Sequence, residues 1–129
     1  MNFIALFGLL ILLGLSVFQL LLIFGAPLGD FAWGGQHKVL PKKLRIASAF
    51  SIVLYIIFAI FLASKAGLVD LISNQQLLDI GMWVLVGYFT LGVFLNLISR
   101  NKKERMVMTP VAFVLAVVFF IVTTGFIPV

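Results

Sequence analysis

Residues 46–64, IASAFSIVLYIIFAIFLAS, contain no charged side chain and no interruption of apolar character. As an α-helix rising about 1.5 Å per residue, such a run matches the roughly 30 Å hydrocarbon core of a bilayer. Working outward, 1–29, 80–99 and 106–129 are likewise free of Asp, Glu, Lys and Arg. Backbone polar groups in lipid must be satisfied within the spanning structure, so only helices or a closed barrel remain. The apolar runs are continuous rather than alternating with period two, which removes the barrel. The chain therefore reads as all-α, a single four-transmembrane-helix bundle. Its spans are expected at about 3–26, 42–65, 75–99 and 104–127.

Composition agrees. An apolar fraction of 64% and a mean hydropathy of +1.28 exceed the roughly half that soluble domains carry. A soluble bundle also needs a polar outer stripe on each helix, and these runs have none. The net charge of +5 is explained by cations at the ends of spans rather than by a nucleic-acid partner. The absence of cysteine removes disulfides, thiolate metal sites and cysteine nucleophiles. The first run has no cationic start, its apolar stretch is too long for a signal peptide, and Pro27 follows Gly25-Ala26 directly, so it reads as a retained span.

Charge distribution sets the expected topology. Lys38, Lys42, Lys43 and Arg45 flank the first connection, and Arg100, Lys102, Lys103 and Arg105 the third, whereas the second holds only Lys65 beside Asp70 and Asp79. That bias places connections one and three in the cytoplasm, gives an N-out/C-out arrangement and argues against dual insertion. Lys42, Lys43 and Arg45 oppose the dipole at the start of span two, a cost of a few tenths of a kcal/mol. Contact with an anionic headgroup layer, about 1 kcal/mol per cation, outweighs it. Ser73-Asn74-Gln75-Gln76 resembles a capping box that starts span three near residue 74. Asn101 with Glu104 is a similar signal, which would put Pro110 inside span four; Thr109 as N-cap is the competing choice.

Polar side chains within spans need partners, so their angular positions are informative. Gly81, Tyr88, Gly92, Asn96 and Ser99 share one face of span three, and Ser48, Ser51, Tyr55 and Ala59 one face of span two. Gly8, Ser16 and Gln19 do so in span one, and Ala112, Ala116 and Thr123 in span four. These faces should point inward. One reading is close packing, with Gly92 a tight helix contact and hydroxyls bonding their own backbone. The other is a polar pocket with Gln19, Tyr55, Tyr88 and Asn96 as ligand-binding candidates. No Asp, Glu, Lys, Arg or His lies deep in a span, which disfavours an ion-coupled pump. Asp79, near an interface, is expected to pair with Lys65 by snorkelling.

The first connection, GAPLGDFAWGGQHKVLP at 25–41, is long for so small a chain, and long ordered loops are often functional. Trp33 suits the headgroup layer, and Gly34 and Gly35 can adopt positive φ with outward N–H groups. Trp33, Gly34, Gly35, His37, Lys38 and Lys42 are accordingly headgroup- or anion-binding candidates; the alternative is an interfacial anchor. The lone His37 with Asp30 makes no metal site, since zinc takes three or four protein ligands. No metal and no cofactor is expected. An Asp30–His37 acid–base pair acting on a lipid headgroup is conceivable, but no nucleophile motif accompanies it.

The stretch 25–51 (GAPLGDFAWGGQHKVLPKKLRIASAFS), together with 94–113 (FLNLISRNKKERMVMTPVAF), resembles a group of small uncharacterised bacterial four-span membrane proteins. Its most distinctive element is Ala32-Trp33-Gly34-Gly35 followed by Leu40-Pro41 and Arg45. The resemblance implies topology and no activity. The chain does not look like fluoride channels or the small multidrug-resistance family, whose intramembrane glutamate has no counterpart in span one.

The leading expectation is a non-enzymatic integral membrane protein, in a bacterial plasma (inner) membrane, that binds or passes a small or amphipathic, lipid-like ligand. The alternatives are an accessory or interaction subunit of a larger membrane complex and, behind it, an interfacial lipid-modifying enzyme. Expected partners are the bilayer and such a ligand. A homo-oligomer or larger membrane complex stays open, and nucleic acid is not expected.

Overall fold

The computed structural model describes residues 2–125. It contains four long α-helices: α1 (Phe3–Ile23), α2 (Lys42–Lys65), α3 (Gln75–Leu97) and α4 (Lys102–Thr124), with no strand among the described residues. At 21 to 24 residues each, they measure about 31–36 Å, enough to cross a bilayer. The residues beyond 125 assigned to span four lie outside the described residues.

Three asparagines start three of the helices. Asn2 Oδ1 accepts from Ala5 N at 3.0 Å, Asn74 Oδ1 from Leu77 N at 3.1 Å and Asn101 Oδ1 from Glu104 N at 2.9 Å. Each satisfies an N–H that the first helical turn leaves without an intrahelical acceptor. Pro41 precedes α2 in an extended conformation. Pro110 lies inside α4, so the helix begins at the Asn101 cap and not at Thr109. Without an N–H, Pro110 cannot donate to the Met106 carbonyl one turn back.

Packing pairs α1 with α2 and α3 with α4 most extensively, and the two hairpins meet through α1 against α4 and α2 against α3. Only 17–28% of the residues in each apolar span are buried. Large apolar side chains such as Phe3, Leu10, Phe50, Ile56, Val84, Phe94 and Phe113 point outward. An apolar surface that covers all four helices exceeds any patch a soluble monomer exposes. Four helices of this length and hydropathy make the chain an integral membrane protein.

The interior is filled unevenly. One core occupies the half of the bundle nearer Asn2 and Gly125, where Ala5, Leu12, Leu62, Leu78, Met82, Val118 and Val122 interlock. At that end Lys65 Nζ lies 2.6 Å from Asp79 Oδ1, tying the end of α2 to the start of α3 as their sequence placement suggested. A small second core, Leu22, Ala32 and Leu40 with Phe18, Leu28 and Leu44 around it, lies at the opposite, basic end beneath the first connection. Between the two cores the interior is not filled.

Candidate functional site

The gap between these cores is a cleft of about 450 Å³ reached by all four helices. α1 contributes Leu15, Phe18 and Gln19, α2 Ser51 and Tyr55, α3 Tyr88, Gly92 and Asn96, and α4 Met108 and Ala112. The four residues singled out as pocket candidates, Gln19, Tyr55, Tyr88 and Asn96, thus line one cavity. Tyr88, Leu91 and Leu95 are at least half exposed on α3 while also lining the cleft, so its side opens outward between α2 and α3. A smaller, wholly apolar groove of about 320 Å³ adjoins it between α1 and α4, sharing Leu15, Phe18, Phe31, Met108 and Val111.

Aromatic rings close the inner end. Phe58 stands 5.3 Å from Tyr88 and 5.6 Å from Phe89, Tyr88 lies 5.3 Å from Phe89, and Phe89 5.0 Å from Phe119. Their tilted and edge-on geometries are those in which ring quadrupoles attract, about 0.5–1.5 kcal/mol per pair beyond burial. Tyr55 extends the cluster at 6.2 Å from Phe58.

Within the cleft the polar groups differ in how far they are satisfied. Ser51 Oγ donates to Ala47 O at 3.1 Å and Asn96 Nδ2 to Gly92 O at 2.7 Å. Both bonds turn back one helical turn, as small polar side chains do in apolar surroundings. Gln19 does not. It is 7% exposed; its side chain interacts with the Tyr55 hydroxyl, and its Oε1 is left without a hydrogen-bond partner. A buried acceptor left unmade costs about 1–3 kcal/mol. Gly92 is less tightly packed than expected: a Cβ there would rest in ordinary van der Waals contact with Ala112 Cβ at 3.8 Å, with no neighbour forced to move, and the residue borders the cleft.

The first connection covers the basic end of the cleft. It folds into two single 3-10 turns, Gly29–Phe31 and Trp33–Gly35, and is closed on itself by Gly29 N donating to Lys38 O at 2.8 Å. Phe31, Ala32 and Trp33 reach the cleft. Trp33, Gly34 and Gly35 have φ of 52°, 75° and 69°, and for a residue as bulky as tryptophan that left-handed conformation is strained. Three bonds hold it: Trp33 Nε1 donates to Ser48 Oγ at 3.1 Å, Gly34 N to Glu104 Oε2 at 2.8 Å and Gly35 N to Ala32 O at 2.8 Å. A Cβ on Gly35 would strike the Asn101 side chain. Asp30 Oδ2 adds an ion pair to Lys103 Nζ at 3.2 Å, and that ammonium lies 5.9 Å over the Phe31 ring.

These contacts change what the loop candidates can do. The N–H of Gly34 already has an anionic acceptor, the protein's own Glu104, so an external anion would have to displace that carboxylate. His37, Lys38 and Lys42 are exposed and form no part of the cleft lining. Asp30 is engaged by Lys103 and has no hydrogen bond to His37 among the described residues. No group of three or more His, Cys, Asp or Glu side chains is placed to hold a metal, again among the described residues.

Sequence reasoning passed over Glu104 as a site residue, because three positions after Asn101 it reads as half of a capping box. Its carboxylate instead leaves the cap and crosses to the loop, and Asn101 N donates to Ser99 Oγ at 3.3 Å. The available signal was its being the one acidic residue among the cations around the third connection. Ser48 was read as part of the inward stripe but not as the partner of Trp33. Compared with known protein families, curated proteins and solved structures, the chain matches none.

Proposed function

We propose that this membrane protein binds, without chemical conversion, a small amphipathic, lipid-like molecule in the cleft between α2 and α3. The supporting observation is the convergence of Gln19, Asn96 and the chain's two tyrosines, Tyr55 and Tyr88, on one cavity in a chain whose spans otherwise hold, beyond their first turns, only serines and threonines as uncharged polar groups. A bundle selected for packing alone would fill this space with aliphatic side chains. The volume falls in the range of small-molecule sites, roughly 300–1,000 Å³, and a few polar groups among many apolar ones is the lining such sites use. The sideways opening lets an apolar body enter from lipid while its polar end meets the amides and hydroxyls.

The eight cations at the basic end favour placing that end in the cytoplasm, with both termini outside. The resemblance noted above favours a bacterial plasma membrane. Native mass spectrometry of gently extracted protein tests the reading. Wild type should retain a bound amphiphile, and Gly92→Leu, which projects a side chain into the cleft, should lose it. Retention by both proteins would place the ligand elsewhere. No adduct on either would favour an accessory subunit whose outward helix faces dock a partner.

A further inference from the structure

The cleft has an electrostatic character opposite to that of the chain. The protein carries a net charge of +5, with eight of its nine Lys and Arg residues at the basic end. Yet no Lys, Arg or His is among the described residues that line the cleft. Lys103 is drawn to Asp30. Arg45 Nε donates to Leu40 O at 2.8 Å and Arg105 Nη1 to Ser99 O at 3.3 Å. Lys38, Lys42, Lys43, Arg100 and Lys102 are exposed.

What the cleft offers instead, beside the neutral amides and hydroxyls, is a negative charge and unmet acceptor oxygens. Glu104 is the one Asp or Glu lining it; its Oε2 takes the Gly34 N–H, and its second oxygen receives no donor from the described residues. Gln19 Oε1 is buried and unpartnered. Asn96 gives one N–H of its Nδ2 to Gly92 O and keeps Oδ1 as an acceptor beside its second N–H. Unmatched acceptors in apolar surroundings call for a donor, and a carboxylate at the rim favours a positive one.

We infer that the ligand of this cleft carries a primary ammonium on an apolar body. The inference rests on the cleft being a binding site, as proposed above. An ammonium supplies three donors and a positive charge, the complement of an anionic carboxylate and an unpartnered amide oxygen. A headgroup whose only charge is a carboxylate or phosphate would set negative charge against Glu104 with no cation in the lining to offset it. A lipid with an ethanolamine headgroup and a free amphiphilic amine share this chemistry.

The test uses the full chain in nonionic micelles and four probes with the same apolar tail: decylamine, decyltrimethylammonium, decanol and decanoate. Decyltrimethylammonium has the charge without a donor, and decanol a donor without the charge. Decylamine should bind roughly tenfold or more tightly than either, as a charge-assisted hydrogen bond implies, and decanoate should bind least. Gln19→Leu should remove the advantage of decylamine over decyltrimethylammonium, and Glu104→Gln its advantage over decanol. Decanol or decanoate binding wild type as tightly as decylamine would overturn the headgroup assignment while leaving the cleft a binding site. Binding of no probe would overturn the cleft reading as well. Selectivity that survives both substitutions would put the ammonium elsewhere and also refute the assignment. Extraction from mixed phosphatidylethanolamine and phosphatidylcholine vesicles separates the sources. Preferential retention of phosphatidylethanolamine, lost in Gln19→Leu, identifies a lipid headgroup, and equal retention beside selective decylamine binding identifies a free amine.

Discussion

Leucine substituted for Gly8 and for Gly92 should have opposite effects on stability, although both are glycines on inward faces of spanning helices. At Gly8, a Cβ would lie 2.7 Å from Val118 Cγ1 and 2.9 Å from Leu62 Cδ2. Both neighbours are buried, with exposures of 4% and 0%, and cannot withdraw without opening the core. Overpacking of this kind costs about 1–3 kcal/mol. At Gly92 the nearest atom to a Cβ is 3.8 Å away, and the rest of a leucine side chain would occupy the cleft. Exchanging glycine for leucine within a helix contributes roughly 0.8 kcal/mol by propensity at either site, so that contribution cancels in the comparison. Gly92→Leu should therefore be neutral or slightly stabilising, and more stable than Gly8→Leu by about 1–3 kcal/mol. Reversible unfolding in mixed micelles, followed by circular dichroism, measures the difference. An equal loss at the two sites would mean that α3 closes on α4 beside Gly92 and that the cleft does not exist in solution.

Lys65 and Asp79, paired at 2.6 Å with side chains 24% and 52% exposed, should show a coupling of no more than about 1 kcal/mol in a double-mutant cycle with alanine; a coupling above about 2 kcal/mol would place the pair in a far drier setting. Gly35→Val forces a β-branched residue into φ 69° against Asn101, a strain of about 1–3 kcal/mol. It should shift Trp33 emission to the red in a Trp83→Phe background while helical content is kept, and loss of the helices would make the loop a folding element instead. Cysteines at Gln36 and Lys103 should resist an impermeant thiol reagent in intact cells while one at Ser73 reacts, and the reverse pattern would invert the proposed topology.

The helices were legible because each is written as an unbroken uncharged run with an asparagine or proline at its start, signals that depend only on local sequence. Gln19, Tyr55, Tyr88 and Asn96 could be brought together on paper because helical periodicity fixes which face each occupies. Periodicity does not say how far apart two inward faces stand, so Gly92 read as a tight contact where a Cβ has room against Ala112 beside the cleft. The loop was harder still. Its conformation depends on Ser48, Asn101 and Glu104, which stand 15 to 70 residues from the loop residues they hold, and no local pattern pairs Gly34 with a glutamate beyond two intervening helices. A carboxylate three residues after an N-cap has a ready local explanation, and that explanation concealed the tertiary one.

The aromatic cluster turns the cleft into a cul-de-sac. On the binding reading proposed above, a molecule slipping in between α2 and α3 meets Phe58, Tyr88 and Phe89 and finds no way on toward the Asn2 end of the bundle. Movement onward would require prising apart the three contacts among those rings and the one between Phe89 and Phe119, together about 2–6 kcal/mol before any loss from the aliphatic core beyond. Exchange should therefore be confined to one leaflet of the bilayer, and the protein, held in this conformation, would sample the composition of that leaflet without mixing it with the other.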